Sequence, residues 1–319
     1  MIQLQGSRAT TPFLPVRHSP PIRRRLSCAH GRHVVFGSQP LIMGILNVTP
    51  DSFSDGGRYV TTEAACERGL QMAAEGADVI DIGGESTRPR AQAVSLAEEL
   101  RRVLPVIRQL ARQVRVPISV DTSKADVAER ALDAGACLVN DVTALRGDGR
   151  MGTVVARSRA AVILMHMRGT PQTMQRQPRY HDVVQQVLAF LRQAAAQALA
   201  WGIARERLCL DPGLGFGKTA RHNLQLLGAL DRLMALGFPV VIGPSRKSFI
   251  GTVLQVDIPD RLAGTLACVA HAAADGVHMV RVHDVQATRQ FLSMLEAIHP
   301  HTKTFGVGVN HTHASRRQY

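Results

Sequence analysis

The sequence offers little that would hold it outside a cell, in a bilayer or on a nucleic acid. Its five cysteines, at 28, 66, 137, 209 and 268, are odd in number, scattered, and never form a CxxC pair. That excludes a disulfide scaffold and a thiolate zinc site, and reads as reduced thiols in a cytoplasmic protein. No apolar run reaches the ~18 to 20 residues of a membrane span; the longest, around Ala160 to Met165 and Leu262 to Ala274, fit a buried strand and a packed helix. Aromatic residues make up 4% of the chain, few stacking platforms for single-stranded nucleic acid. Acids are missing from both ends: residues 1–40 hold six arginines and residues 298–319 three basic residues, so nine of the thirteen net positive charges sit there. The weakly basic remainder favours small anions, and no nucleic-acid partner is expected. No internal repeat points to a solenoid.

What is present is a large core. At 319 residues and 45% hydrophobic content, one barrel of ~250 residues with extensions fits as well as two domains. The organising stretch is Leu41 to Gly57, LIMGILNVTPDSFSDGG. An apolar run switches abruptly to Asn, Thr, Pro, Asp, Ser and Gly, the pattern of a buried strand ending in a polar loop. Asn47 is the first polar residue at its end. Asp51 and Asp55 around Phe53, with Gly56-Gly57 as a hinge, suit a flap that carries carboxylates over a pocket. An isolated Asn-x-Thr-Pro-Asp is equally an ordinary turn, and alone it names no activity.

Strand-like and helix-like runs then alternate. Strands are expected at Ile42 to Leu46, Asp78 to Ile82, Ile118 to Val120, Cys137 to Asn140, Ala161 to Met165, Leu208 to Leu210, Val240 to Ile242 and His278 to Val282. Helices are expected at Thr62 to Glu75, Leu96 to Gln113, Lys124 to Ala134, Met151 to Arg157, Val183 to Ala200, Asn223 to Leu236, Arg261 to Ala274 and Val285 to Glu296. Eight such units predict a single α/β domain, a (β/α)8 TIM barrel over residues 27–298. Residues 1–26 and 299–319 are expected to be disordered basic extensions. The first has the composition of a transit peptide, but Pro12, Pro15, Pro20 and Pro21 interrupt any amphipathic helix. The histidines at 299, 301, 311 and 313 read as a solvated tail.

Polar groups gather where these strands end: Asn47; Asp81 with GGESTRP; Asp121-Thr122; Asn140-Asp141; His166; Asp211; Ser245-Arg246-Lys247; Arg281 with His283. One Asp or Asn is as often a helix cap as a ligand, but eight converging groups favour a site. Asp121, Asn140, Asp211 and Lys247 read the edges of a flat heterocycle bearing an amino group, a carbonyl and ring nitrogens. Arg281, a protonated His283 and Asn47 suit an anion accompanied by Mg²⁺.

The chain resembles dihydropteroate synthases. It matches through GILNVTPDSFSDGG at 44–57, GGESTRP at 83–89, PISVDT at 117–122, VNDV at 139–142, LMHMRGTPQTMQ at 164–175, DPGLGFGK at 211–218, SRKSFIG at 245–251 and RVHDV at 281–285. The resemblance implies that Asp121, Asn140, Asp211 and Lys247 hold a pterin ring, with Met165 and Arg281 packing around it. Asn47 would bind the Mg²⁺ of a diphosphate held by Thr87, Arg281 and His283. Phe53, Ser54, Arg88, Pro89, Phe216 and Ser248 would surround p-aminobenzoate, and Asp55 would stabilise a cation or accept the amine proton. Asp55, Lys247, Arg281 and His283 are the expected catalytic set, and a homodimer is implied. Arg90 and Pro244 depart from the family pattern, which commonly has Gly after STRP and an aliphatic residue before SRKS. A corrin or folate methyltransferase barrel would lack the flap and anion groups; a non-catalytic paralogue would have lost some of them. None is missing here.

Overall fold

The computed structural model describes residues 25–49, 62–88 and 91–302, with side chains described up to residue 298. Eight parallel strands form the barrel wall: β3 (Leu41–Asn47), β4 (Val79–Gly83), β5 (Ile118–Asp121), β6 (Leu138–Asp141), β7 (Ala161–Met165), β8 (Leu208–Asp211), β9 (Val241–Ile242) and β10 (Met279–Val282). They are ordered β8-β7-β6-β5-β4-β3-β10-β9. A single parallel bridge, Leu210 to Val240, joins the last pair and closes the ring. Most strand residues are apolar, chiefly Val, Ile and Leu, with almost no exposure, as expected where helices cover one face and barrel packing fills the other. This is the (β/α)8 barrel that the alternation predicts.

The helices are α1 (Thr62–Ala74), α2 (Leu96–Gln113), α3 (Ala125–Asp133), α4 (Met151–Ser158), α5 (Val183–Ala200), α6 (Ala220–Leu227), α7 (Leu230–Met234), α8 (Ser248–Leu254), α9 (Leu262–Ala274) and α10 (Val285–Thr302). Two expectations are corrected. The helix expected over Asn223 to Leu236 is two helices, α6 ending at a Gly228 cap and α7 restarting after Ala229. The last helix runs on through Pro300 to Thr302. Leu96–Gln113 and Val183–Ala200 start where Ser95 and Asp182 side chains accept the N–H groups of Glu98 and Gln185, caps worth ~1 kcal/mol each.

A short antiparallel hairpin, β1 (Arg25–Ser27) with β2 (His33–Val35), covers the amino-terminal ends of the strands. Leu26, Val34 and Phe36 are buried there, and His30 Nε2 lies 3.0 and 3.1 Å from the Leu132 and Ala136 carbonyls. The opposite end is left for the site. Strand register sets its level: Gly83 pairs with Asp121, Asp121 with Asn140, and Met165 with Asp211. Residues from separate strands therefore reach one rim.

Gly135 tests how tightly this placement is fixed. It follows α3, takes a φ of +116°, and a Cβ there would lie 2.6 Å from that of Ala111. Gly135→Ala is expected to destabilise the fold by about 2 kcal/mol, from left-handed strain plus the clash with α2, read as a lower urea midpoint.

Candidate active site

At the rim, four strands contribute to one buried frame. Arg281 on β10 donates from Nε to Asp81 Oδ2 at 2.6 Å and from Nη2 to Asp121 Oδ2 at 2.7 Å. Asn140 on β6 donates from Nδ2 to the same Asp81 oxygen at 2.9 Å. Asp81 is fully buried, and the next inward position on its strand is Gly83, where a Cβ would come into van der Waals contact with Asp121 at 3.4 Å. By engaging the Asn140 amide nitrogen, Asp81 leaves the amide oxygen as the acceptor that Asn140 offers. Asp81 stood in the strand-end pattern but not among the expected pterin ligands. The missing signal was its depth: a carboxylate two residues below a strand end is recognisable as a brace only once Arg281 is seen across the barrel.

The remaining ring-facing groups come from β7, β8 and the β9–α8 turn. Asp211 is 5% exposed and accepts the Gly213 N–H at 2.6 Å. Lys247 gives its ammonium to the Leu214 carbonyl and lies 4.3 Å from the Phe216 ring centroid. Met165, Val142, Met167 and Met174 form a small apolar cluster against Phe216, separate from the main core. The structure thus brings Asp121, Asn140, Met165, Asp211, Phe216, Lys247 and Arg281 together.

Electrostatics follow from the burial. Burial pushes the Asp121 carboxyl up to about 7, with Arg281 pulling the other way and Asp81 adding to the rise. Burial also raises Asp211, against the pull of Lys247. Lys247 drops to about 7 through burial and Arg281, although Asp211 and Asp121 support its charge. It is ringed by protein yet keeps partial exposure, as a group lining a mouth does. Both groups that titrate near neutrality belong to the set read as heterocycle ligands, a signature of functional sites.

Asn47 ends β3 beside Gly83. His283 follows β10 and differs from the expected imidazolium. Burial and the nearby Arg281 and Arg246 lower it to about 3. Ser245 Oγ accepts the His283 backbone N–H at 3.2 Å and lies 3.0 Å from Nδ1. The pairing that satisfies all three groups has the hydroxyl donating to Nδ1, so the ring is neutral with its proton on Nε2. A neutral His283 protonated on Nε2 has one N–H to donate, beside the positive charge of Arg281.

Other strand-end residues are occupied elsewhere. Asp141 accepts from Thr143 and Leu145 N–H groups and shapes a turn. Arg246 pairs with Asp284 outside the frame. His166 and Lys218 bind each other, Nδ1 to Nζ at 2.9 Å. Thr87 and Arg88 lie on the loop after β4. Its neck is closed where Glu85 accepts the Val94 N–H at 3.2 Å, and Lys124 bridges Glu85 to the buried Glu99. Ser248 opens α8. Phe53, Ser54, Asp55, Pro89 and Arg90 lie outside the described residues.

A barrel whose rim gathers Asp121, Asn140, Asp211, Lys247 and Arg281 beside a histidine has donors and acceptors of the kind a flat nitrogenous heterocycle can meet, the class of a small-molecule enzyme. Comparison with known proteins gives that class a family. The family model described as pterin binding enzyme matches residues 43–283. Dihydropteroate synthase of Synechocystis sp. is 46% identical over 264 residues, 82% of this chain and 91% of that protein. The Xanthomonas albilineans dihydropteroate synthase structure with 4-aminobenzoic acid superposes with a TM-score of 0.81 at 48% identity, covering 87% of this chain and 98% of that one. The same enzyme in complex with 7,8-dihydropteroate gives 0.78 at 45%, covering 86% and 98%. The chain belongs to the dihydropteroate synthases of the pterin-binding enzyme family.

Asp81→Ala would leave Arg281 with one carboxylate and free the Asn140 amide. Removing one member of a buried ionic group costs about 3–5 kcal/mol. That loss is expected in urea denaturation, with a smaller one in Asp81→Asn.

Proposed function

We propose that this site condenses 6-hydroxymethyl-7,8-dihydropterin diphosphate with p-aminobenzoate, giving 7,8-dihydropteroate and diphosphate in folate synthesis. The observation that carries this reading is the convergence of Asp121, Asn140, Asp211 and Lys247 from four strand ends around Arg281. A dihydropterin presents an amino group and ring N–H groups to the carboxylates and the Asn140 oxygen, and a carbonyl and ring nitrogen to the Lys247 ammonium. Arg281 and Met165 flank the ring. The complexes of relatives with 4-aminobenzoic acid and 7,8-dihydropteroate support the same pairing of substrates.

An aryl amine is a weak nucleophile, so the chemistry rests on the leaving group. The bond between the pterin methylene and the diphosphate oxygen breaks, the ring delocalises the resulting cation, and the amine nitrogen then attacks the methylene and loses its proton. Arg281, His283 and Thr87 hold the departing diphosphate, electrostatic work of roughly 3–4 kcal/mol per well-placed donor. Asp55 is assigned to the cation or the amine proton. The p-aminobenzoate ring docks by Phe216, Lys247, Phe53 and Pro89, with its carboxylate towards Ser54, Arg88 and Ser248.

Mg²⁺ is the proposed cofactor. The described residues hold no group of three or more His, Cys, Asp and Glu side chains placed for a metal. Mg²⁺ commonly keeps one or two protein oxygens and fills its shell from phosphates and water, which fits the Asn47 amide oxygen at the end of β3. Bound there with the diphosphate, it would neutralise charge on the leaving group. The protein is proposed to be cytoplasmic, and no helix among the described residues is long and apolar enough to cross a membrane. It is proposed to act as a homodimer; Val253, Leu254 and Ile258, exposed on α8 and the turn after it, offer an apolar patch for pairing.

The test is to follow dihydropteroate and diphosphate together. Stoichiometric products that stop with EDTA and return with Mg²⁺ are expected, whereas tight pterin diphosphate binding without product would indicate a non-catalytic pterin binder. The pH dependence has a sign. Asp121 takes up a proton below about 7 and loses its acceptor, while Lys247 loses its charge above about 7. Calorimetric affinity for the pterin diphosphate should therefore peak near neutrality, and Asp121→Asn should remove the acid limb.

A further inference from the structure

The loop from β8 to α6 carries Phe216 and is held in an uncommon way. Gly213, Gly215 and Gly217 all take positive φ, +67°, +81° and +61°. Each of the five consecutive carbonyls from 213 to 217 accepts a hydrogen bond from a side chain. Lys218 Nζ binds Gly213 O at 2.8 Å and Phe216 O at 2.9 Å, and Lys247 Nζ binds Leu214 O. Gln175 Nε2 binds Gly215 O at 2.7 Å, and the Tyr180 hydroxyl binds Gly217 O at 2.9 Å. The loop also lies flush on its neighbour: a Cβ at Gly213 would sit 2.0 Å from the His166 carbonyl oxygen, and one at Gly217 2.5 Å from that of Arg168.

Lys218 is the deepest of these partners, only 3% exposed. Burial and Lys247 push the Lys218 pKa well down, with Asp211 opposing them, and three close acceptors favour an ammonium with its three N–H donors: Gly213 O, Phe216 O and His166 Nδ1 at 2.9 Å, with His166 O farther away at 3.3 Å. His166 is kept neutral by burial and by Lys218, at about 3, so Nδ1 is free to accept. An apolar side chain of the same length would strand three buried acceptors. The two residues presented by this network, Phe216 and Lys247, lie 4.3 Å apart from ring centroid to ammonium.

We infer that Lys218 is a positioning residue for the p-aminobenzoate half of the site: its buried ammonium fixes the 213–217 loop, and through Phe216 and Leu214 fixes the ring and the ammonium that meet the aryl amine. It touches no substrate. The inference rests on the reading that p-aminobenzoate docks at Phe216.

The experiment compares full-length wild type, Lys218→Met and Tyr180→Phe. It measures KM for p-aminobenzoate, kcat, calorimetric Kd for the pterin diphosphate, and the thermal midpoint. Lys218→Met is expected to raise KM for p-aminobenzoate by about tenfold or more, the loss of a charged hydrogen bond, with Kd for the pterin diphosphate within about twofold of wild type. Tyr180→Phe removes one carbonyl partner and keeps the Lys218 contacts, so it should raise the same KM by about threefold while lowering the thermal midpoint by no more than about 3 °C. It carries the test if Lys218→Met does not fold. An unchanged KM in Tyr180→Phe and in folded Lys218→Met overturns the inference, as does equal weakening of both substrates in step with lost stability. Wild type that binds the pterin diphosphate but never consumes p-aminobenzoate overturns the docking reading and the inference with it, and its activity alone tells the two failures apart.

Discussion

The structure depends on one guanidinium held between two carboxylates. Arg281 is placed across the barrel from Asp81 and Asp121, and Asp81 also takes the Asn140 amide. Burying such a group is unfavourable unless every charge is paired and bonded. Residues of β4, β5, β6 and β10 pair the guanidinium with both carboxylates, while Asp81 Oδ1 stays buried without a hydrogen-bond partner among the described residues. The consequence is preorganisation: the directions in which Asn140 and Arg281 offer their remaining hydrogen-bonding capacity are set before any ligand arrives. A flat ring then meets fixed donors and acceptors, and the binding free energy is not spent on ordering them.

Two further cations do for the loops what Arg281 does for the strands. Lys124 joins Glu85 at the neck of the β4–α2 loop to Glu99 on α2, and Lys218 gathers the carbonyls of the β8–α6 loop. Each sits where a loop leaves the barrel carrying groups towards the mouth. Loop backbones have no ladder to satisfy them, and buried acceptors without partners are expensive. A long side chain with three donors meets that need in a small volume. The ring-facing half of the site rests on strands, and the half assigned to p-aminobenzoate rests on loops fixed by lysines.

Much of this was legible in the sequence. Apolar runs bounded by turn residues gave all eight barrel strands to within a residue or two, because strands covered on both faces cannot hide their composition. The strand-end polar residues were legible for the same reason, since a polar side chain has no place in such a run unless something needs it. Less legible was what each group does once there. Asp141, Ser245 and His166 look like ligands in the sequence and serve as a turn former, an imidazole partner and a lysine partner. The charge of His283 was not legible, because burial, Arg281 and Arg246 lower its pKa before any ligand arrives, which residue type does not reveal. The break between α6 and α7 escaped because Gly228 and Ala229 leave the apolar periodicity intact on both sides.

The measurement that bears most directly on the frame is a crystal structure of the protein with 7,8-dihydropteroate. The account predicts the pterin ring between Arg281 and Met165, its edges on Asp121, Asn140, Asp211 and Lys247, and the Asp81–Arg281–Asp121 contacts kept with side-chain shifts below ~1 Å, as in a preorganised complex. A ring bound elsewhere, or an Arg281 that leaves Asp81 and Asp121 to meet the ligand, would contradict it.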